Sequence, residues 1–286
     1  MIKQIVIGTD GSPSALEAYL QALSVAKKID AGIKCVFVID LRKTQMPFIY
    51  AGGSYEGAFE RLYIPPDDSM RSFYEKIADD LDTFADRCMS DYRDEAEKRA
   101  LPFESVIKSG YPGIELADEA RSGGLLVVGR RGENAHYKRS IVGSIAEDLV
   151  RQSPRPILVC PGNQGEIEKV LFPYDGSRSA ENALQYYVNG LNGLVDRFFL
   201  LLIGDETPEE HYVEEELSYL NKHGIEVEVL CRKGVPGNEI MKAAIELEVD
   251  LIMMGSHGKH KLRDYLLGST TSHILHKSPV PVLLVY

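Results

Sequence analysis

Along this chain, short runs of consecutive apolar residues alternate with stretches in which apolar positions recur every three or four residues. Gln4-Ile-Val-Ile7, Leu125-Leu-Val-Val128, Lys169-Val-Leu-Phe172 and Leu251-Ile-Met-Met254 are continuous runs, the pattern of strands buried on both faces of a parallel sheet. Between the first two, Ser14 to about Asp30 puts Leu16, Leu20, Leu23 and Ala26 on one stripe and predicts a helix lying on that sheet. Ser12 followed by Pro13 reads as its N-cap with proline at the first helical position. Strands that alternate with helices imply parallel pairing in a doubly wound α/β sheet.

Lys34-Cys-Val-Phe-Val-Ile39 predicts a second strand, Phe103 to Lys108 a third and Pro156-Ile-Leu-Val-Cys160 a fifth, with helices ending near Arg121 and Gln152. The same order then starts again. Pro173-Tyr-Asp175-Gly-Ser177 repeats Gly8-Thr-Asp10-Gly-Ser12, and Gly234-Val-Pro-Gly237 echoes Gly110-Tyr-Pro-Gly113. Phe198 to Ile203, Glu226 to Leu230 and Val280 to Val285 supply the matching strands, and Ser179–Leu191, Glu214–His223 and Asn238–Glu246 the helices. Two copies of one five-stranded unit are present, in domains spanning 1–161 and 167–286. Pro161-Gly-Asn-Gln-Gly165 reads as the linker. Pro173 cannot donate to a ladder and is expected to end its strand just before Asp175.

Asp10 and Asp175 lie 165 residues apart but Gly129 and Gly255 only 126, so copy one carries 39 additional residues, in an insertion of about 41–100. Arg42 to Asp68 mixes Pro47, Gly52, Gly53, Pro65 and Pro66 with Phe48, Tyr50, Tyr55 and Tyr63. That mixture predicts an extended excursion covering a site or a neighbouring domain. Ser69 to Arg99 predicts a long helix with a solvated charged face.

The densest chemistry follows the fourth strand of copy two. Gly255-Ser-His257-Gly258 is separated by nine residues from Gly268-Ser269-Thr270, where the last helix begins. Glycines let a backbone approach an anion closely, and the amides of a helix start, with Ser and Thr hydroxyls, donate to phosphate oxygens. Copy one has Gly129-Arg-Arg131-Gly132, then ten residues, then Gly143-Ser144-Ile145. The extra residue changes the loop's reach by ~3.3 Å if extended, unless a bulge absorbs it. In a doubly wound sheet the ligand lies outside the carboxyl ends of the strands where the strand order reverses, which requires strand one beside strand four. Asp175 and Gly255 then face one crevice, as do Asp10 and Gly129. Each aspartate either touches the ligand or caps its own loop.

The net charge of −11, with no long basic run, argues against general nucleic-acid binding. Cys35, Cys88, Cys160 and Cys231 are scattered without a C-x-x-C pair, as in a reducing cytoplasm. No apolar run reaches the roughly 18 residues of a membrane span. His273 and His276, three apart on the last helix, lack a carboxylate or cysteine at matching spacing, so no metal site is expected. Neither a nucleophilic triad signature nor a Walker A sequence is present.

Gly255-x-x-Gly258, nine residues and Gly268-Ser269, with Asp175 after the first strand and Val-Pro-Gly before the third helix, resemble the ATP-binding branch of the universal stress protein family. Both copies share the resemblance, so the chain looks like a tandem member. It implies two adenine nucleotide alpha hydrolase-like sheets of strand order 3-2-1-4-5, with an adenine nucleotide (ATP, ADP or AMP) held across the carboxyl edge. It implies that Asp175, after Pro173, lies near the ribose and the metal–phosphate region, and that Ile203 meets the adenine. It implies that Gly255, Gly258, Gly268, Ser269 and Thr270 hold the phosphates, and His257, inside the same cradle, is a further candidate donor to them. In copy one the matching positions are Asp10, Val38, Gly129, Arg131, Gly132, Gly143, Ser144 and Ile145. Mg2+ is implied through the phosphates and not by a protein cage. Family members usually pair through their last strands, so Pro156–Cys160 and Val280–Val285 are expected to pair as an internal pseudo-dimer, with a homodimer also open. A regulatory, stress-linked role is the first reading. A slow ATPase or nucleotidyl-transfer enzyme, and a partner-binding module without nucleotide, remain as alternatives.

Overall fold

The structure, a computed structural model, describes residues 1–44, 50–51, 62–63, 68–132, 142–162, 165–205, 213–256 and 268–286. The continuous apolar runs become strands because helices cover both faces of the sheet, leaving no solvent side for polar residues. In the first half, β1 (Gln4–Thr9), α1 (Pro13–Ile29) and β2 (Gly32–Asp40) are followed by a short α2 (Leu41–Thr44). β3 (Tyr50–Ala51) and β4 (Leu62–Tyr63) pair antiparallel in a separate ribbon, and the long α3 (Asp68–Glu97) returns the chain to the main sheet. There β5 (Phe103–Gly110), α4 (Pro112–Ala120), β6 (Leu125–Gly129), α5 (Ser144–Gln152) and β7 (Ile157–Cys160) complete the unit.

The second half repeats it with β8 (Lys169–Tyr174), α6 (Arg178–Tyr186), β9 (Arg197–Gly204), α7 (Glu214–Lys222) and β10 (Val227–Lys233). α8 (Pro236–Glu246), β11 (Leu251–Gly255), α9 (Ser269–Lys277) and β12 (Val282–Val285) follow. Within each half the strand order is 3-2-1-4-5 and every pairing is parallel. The halves meet at one antiparallel joint, in which Ile157 pairs with Leu284, Leu158 with Leu283 and Val159 with Val282. The last strands therefore pair as expected, and one ten-stranded sheet runs through the chain. Each half covers the edge that the other would expose.

One buried cluster runs along each face of the sheet and crosses the joint. Tyr19, Leu23, Tyr187 and Phe198 belong to one, and Val38, Leu149, Phe199 and Ile274 to the other. Helix α3 joins the first face through Ala85, Met89, Tyr92 and Ala96, and its charged face is left to solvent. Tyr92 stacks on Tyr19, with ring centroids 4.1 Å apart and 8° between the planes. Its hydroxyl lies 3.2 Å from Thr9 Oγ1, and the Tyr19 hydroxyl donates to the Tyr92 carbonyl. The inserted helix is part of the core. The aromatic cover expected from Phe48 and Tyr55 falls outside the described residues.

Two expectations need correction. Pro173 does not end its strand, because β8 continues through a Pro173–Leu201 pair to Tyr174. On the other side of β8 the pairing with β11 stops at Leu171, so a proline further on removes no bond from that ladder. The helix expected to reach Leu191 as one piece changes at Tyr187 into a π-helical turn, Tyr187–Leu191. There Ile2 of the first half presses on the chain so closely that a Cβ on Gly190 would lie 2.9 Å from Ile2 Cγ1.

Among the described residues no helix is long and apolar enough to cross a membrane. Replacing Tyr92 by Ala should cost about 3 kcal/mol in chemical denaturation, and Tyr92→Phe, which keeps the stack, about 1 kcal/mol. Negligible losses from both would show α3 to be detachable from the core.

Candidate functional site

The site begins with the two turns that follow the first strands. Asp10 Oδ1 accepts the Ser12 amide at 3.0 Å, and Ser12 Oγ accepts the Ala15 amide at 3.2 Å, so α1 starts with its own cap. Asp175 and Ser177 do the same for α6, at 2.9 Å to the Ser177 amide and 3.3 Å from Ser177 Oγ to the Ala180 amide. Gly11 and Gly176, at φ 74° and 68°, supply the left-handed residue that each turn needs. Both aspartates thus cap their loops through one carboxylate oxygen. Asp10 Oδ2 is turned toward Gly132, 2.9 Å from where a Cβ on that glycine would stand.

The fourth helices are built differently. α5 and α9 start on Gly143 and Gly268, and neither N-cap offers a side-chain hydrogen bond. The amides of their first turns have no cap of the kind that Ser12 and Ser177 give α1 and α6. Among the described residues, a Cβ on Gly268 would meet nothing closer than Thr271 Oγ1 at 3.7 Å, and one on Gly143 nothing closer than 3.5 Å. The described residues therefore do not crowd either helix start.

Gly129 and Gly255 serve another purpose. A Cβ on Gly129 would lie 2.8 Å from the Ser14 carbonyl oxygen, and one on Gly255 2.6 Å from the Ser179 carbonyl carbon. The first turn of α1 or α6 rests directly on the end of the fourth strand, and only glycine leaves room for it. These two glycines are required by packing before any ligand is considered.

In the first half the turns enclose a cavity of about 280 Å³. All eight residues singled out there by sequence, Asp10, Val38, Gly129, Arg131, Gly132, Gly143, Ser144 and Ile145, line it. They come from the ends of β1, β2 and β6 and the start of α5, where strand one lies between strands two and four. Pro112 and Leu116 from α4, with Val128 and Val142, add an apolar wall. In the second half Asp175, Ile203, Gly255, Gly268, Ser269 and Thr270 occupy the corresponding strand ends and helix start. His257 and Gly258 lie outside the described residues.

Sequence reasoning missed Asp40, Arg42 and Lys43, which also line the first cavity. Their place at the end of strand two or within three residues of it was the available signal, because the carboxyl end of that strand borders the same crevice. Arg42 Nε stands 2.8 and 2.9 Å from the two Asp40 carboxylate oxygens, and these hydrogen bonds hold the Asp40 carboxyl below the usual carboxylate range. With Arg130 and Arg131, four cationic residues face two acids around the cavity, in a chain of net charge −11. The local balance favours an anionic ligand. Arg130 itself reaches across the joint, its Nη1 donating to the Ser278 carbonyl at 2.6 Å, and burial lowers its pKa from the ordinary arginine value.

The two helical histidines have separate surroundings. His273 packs on α8, where a Cβ on Gly237 would be 3.2 Å from its Cδ2, and His276 Nε2 lies 3.6 Å from Glu147 on α5. Among the described residues no three His, Cys, Asp or Glu are grouped as metal ligands would be. None of the four cysteines is in a disulfide, and burial pushes the thiols of Cys35 and Cys160 well above the ordinary cysteine range.

A sequence profile described as the Universal stress protein family matches residues 1–161 and again 166–286. A universal stress protein of Synechocystis sp. is 28% identical over 293 residues, covering 99% of each chain. One from Methanocaldococcus jannaschii is 32% identical over 152 residues, covering 41% of this chain and 94% of its own. Among solved structures, a universal stress protein from Archaeoglobus fulgidus superposes with a TM-score of 0.73 at 22% identity, over 99% of this chain and 95% of the other, a likeness of fold.

Gly255→Ala should lower stability by about 2 kcal/mol because its new methyl meets backbone, whereas Gly143→Ala should stay within about 0.5 kcal/mol. Chemical denaturation of the two variants tests this, and a neutral Gly255→Ala would refute the packing role.

Proposed function

The chain belongs to the universal stress protein family, and from that premise we propose that it binds adenine nucleotides, ATP foremost, at the carboxyl edge of each half of its sheet. The observation that carries this reading is the convergence of eight residues from separate segments on one cavity at the first switch point, in front of an uncapped helix start. The phosphates lie against the amides of Ser144 and Ile145, with Arg131 adding charge. The apolar wall at Val38, Leu116 and Val142 takes the base, and Asp10 faces the ribose and the metal–phosphate region. The second half uses Asp175, Ile203, Gly255, Gly268, Ser269 and Thr270 in the same places, with His257 and Gly258 in its loop. Mg2+ accompanies the nucleotide through its phosphates.

The role is regulatory and cytoplasmic, with the halves acting as an intramolecular pseudo-dimer whose nucleotide occupancy biases partner choice in a stress response. Fast hydrolysis is not expected of this arrangement. The two carboxylates at the first cavity are already engaged, Asp10 in its turn and Asp40 with Arg42. Neither stands ready as a general base toward an attacking water.

Protein purified without added nucleotide should release an adenine nucleotide on denaturation, detectable by mass spectrometry, and titrate to two sites per chain. Gly268→Val should abolish one of the two ATP sites, with affinity lowered at least a hundredfold, and leave the melting temperature within a few degrees. Undiminished binding at two sites would put the second nucleotide elsewhere. Rapid multiple turnover of ATP would replace the regulatory reading with an enzymatic one.

A further inference from the structure

Helix α9 starts at the second crevice and ends against the first. His276 Nε2, in its last turn, lies 3.6 Å from Glu147 in the first turn of α5. Ser278, the C-cap of α9, accepts a hydrogen bond from Arg130 Nη1 on its carbonyl at 2.6 Å. Nine residues of helix, about 13.5 Å in length, therefore connect the second helix start with a group that grips the first glycine loop. We propose that ATP at the second site strengthens ATP binding at the first, with α9 and Arg130 as the connection. This rests on the reading of both crevices as nucleotide sites.

Arg130 is fixed at three points. Its amide donates to the Cys160 carbonyl at 2.7 Å, its carbonyl accepts the Gly143 amide at 2.8 Å, and its side chain is held by Ser278. The first two bonds set the base of the loop and the start of α5. The third depends on the second half. Arg130 is half-buried, and its Nε is enclosed with no hydrogen-bond partner among the described residues. A buried cation that loses an acceptor is strongly disfavoured, so the side chain keeps its place only while the Ser278 carbonyl keeps its own. Carbonyls at a helix C-terminus carry the negative end of the helix dipole, which suits this one to a guanidinium.

The direction of the effect comes from the start of α9. Its N-cap, Gly268, makes no side-chain hydrogen bond, and a phosphate there supplies the acceptors that its first turn needs. A helix this short has few internal bonds and forms cooperatively, so closing its first turn also steadies its last. A filled second site thus fixes Ser278, Ser278 fixes Arg130, and Arg130 fixes Gly143 at the start of α5. Linkage requires the converse, that ATP in the first site raises affinity at the second by the same factor. The second loop has no matching tether among its described residues. Ser256 stands where the first half has Arg130, fully buried and too short to reach the end of α5.

Calorimetric titration with ATP tests the coupling in the unaltered full chain, in Gly268→Val, which leaves the first site, and in Gly143→Val, which leaves the second. The product of the two association constants of the unaltered chain should exceed the product of the two single-site constants about fivefold or more. Arg130→Met should bring that excess to unity, and Arg130→Lys, which can still donate to the Ser278 carbonyl, should keep part of it. If Arg130 only touched the phosphates, its loss would weaken the first site equally with the second site filled or empty. The excess would then survive Arg130→Met, and that result would overturn the proposal, as it would if another contact of the joint, such as His276 with Glu147, carried the coupling. An excess of unity or less in the chain that keeps Arg130 would overturn it as well, whether or not Arg130→Met folds, and would leave both nucleotide sites standing. ATP binding at one site or at none would remove the two-site reading together with the coupling.

Discussion

At each switch point the first turn of a helix lies against the end of a neighbouring strand with no room for a side chain between them. A Cβ on Gly129 or Gly255 would sit under 3 Å from the backbone of Ser14 or Ser179, and this closeness fixes where the rest of the crevice stands. α1 and α6 are brought onto one face of the sheet, and α5 and α9 leave for the other. The gap between the departing helices is the crevice. Two glycines that never need to touch a ligand therefore decide whether there is a pocket at all, and the interior's resistance to overpacking makes the requirement strict.

The joint between halves follows from the same burial logic. β7 and β12 are buried along their whole length, and each would be an exposed apolar edge if its half stood alone. Pairing them antiparallel satisfies both edges and brings the last turn of α9 beside the first half's glycine turn. Arg130, whose neighbours Gly129 and Arg131 line the cavity, donates to the Ser278 carbonyl just beyond α9. Tyr286 donates to the Val150 carbonyl on α5 at 2.7 Å, and Tyr186 to the Gly124 carbonyl at 2.8 Å. The walls of the first cavity are thus held partly by groups from the second half.

Much of this was legible in the sequence, for identifiable reasons. Continuous apolar runs such as Leu251 to Met254 have no amphipathic alternative, so strand identity and two-sided burial followed from them. The repeated Asp-Gly-Ser turns announced the duplication, and the order of strands and helices announced where the crevice would lie. The details that escaped depend on neighbours distant in the chain. The missing donor of Pro173 predicts a strand end, but the effect depends on where β11 stops pairing with β8, at Leu171, which the local sequence does not carry. The π turn after Tyr186 lies against Ile2, far away in sequence. Arg42 was assigned to the insertion, although it stands within two residues of the end of a core strand.

The unequal glycine loops show how little a length difference matters once the base of a loop is fixed. Ten residues in place of nine between Gly132 and Gly143 imply a shift of ~3.3 Å if the added residue is extended. The Gly143 amide instead donates to the Arg130 carbonyl at 2.8 Å, closing the loop at its base. Gly129, Gly132, Gly143 and Ser144 therefore keep their places around the cavity whatever the intervening residues do, because a hydrogen bond at that distance tolerates only a few tenths of an ångström. Doubling a loop costs only about 0.6 kcal/mol in closure entropy, so one added residue is inexpensive as well. A spacing motif read as a rigid ruler undervalues a site whose ends are tied together. The residues at the tie, rather than the count between them, set the geometry.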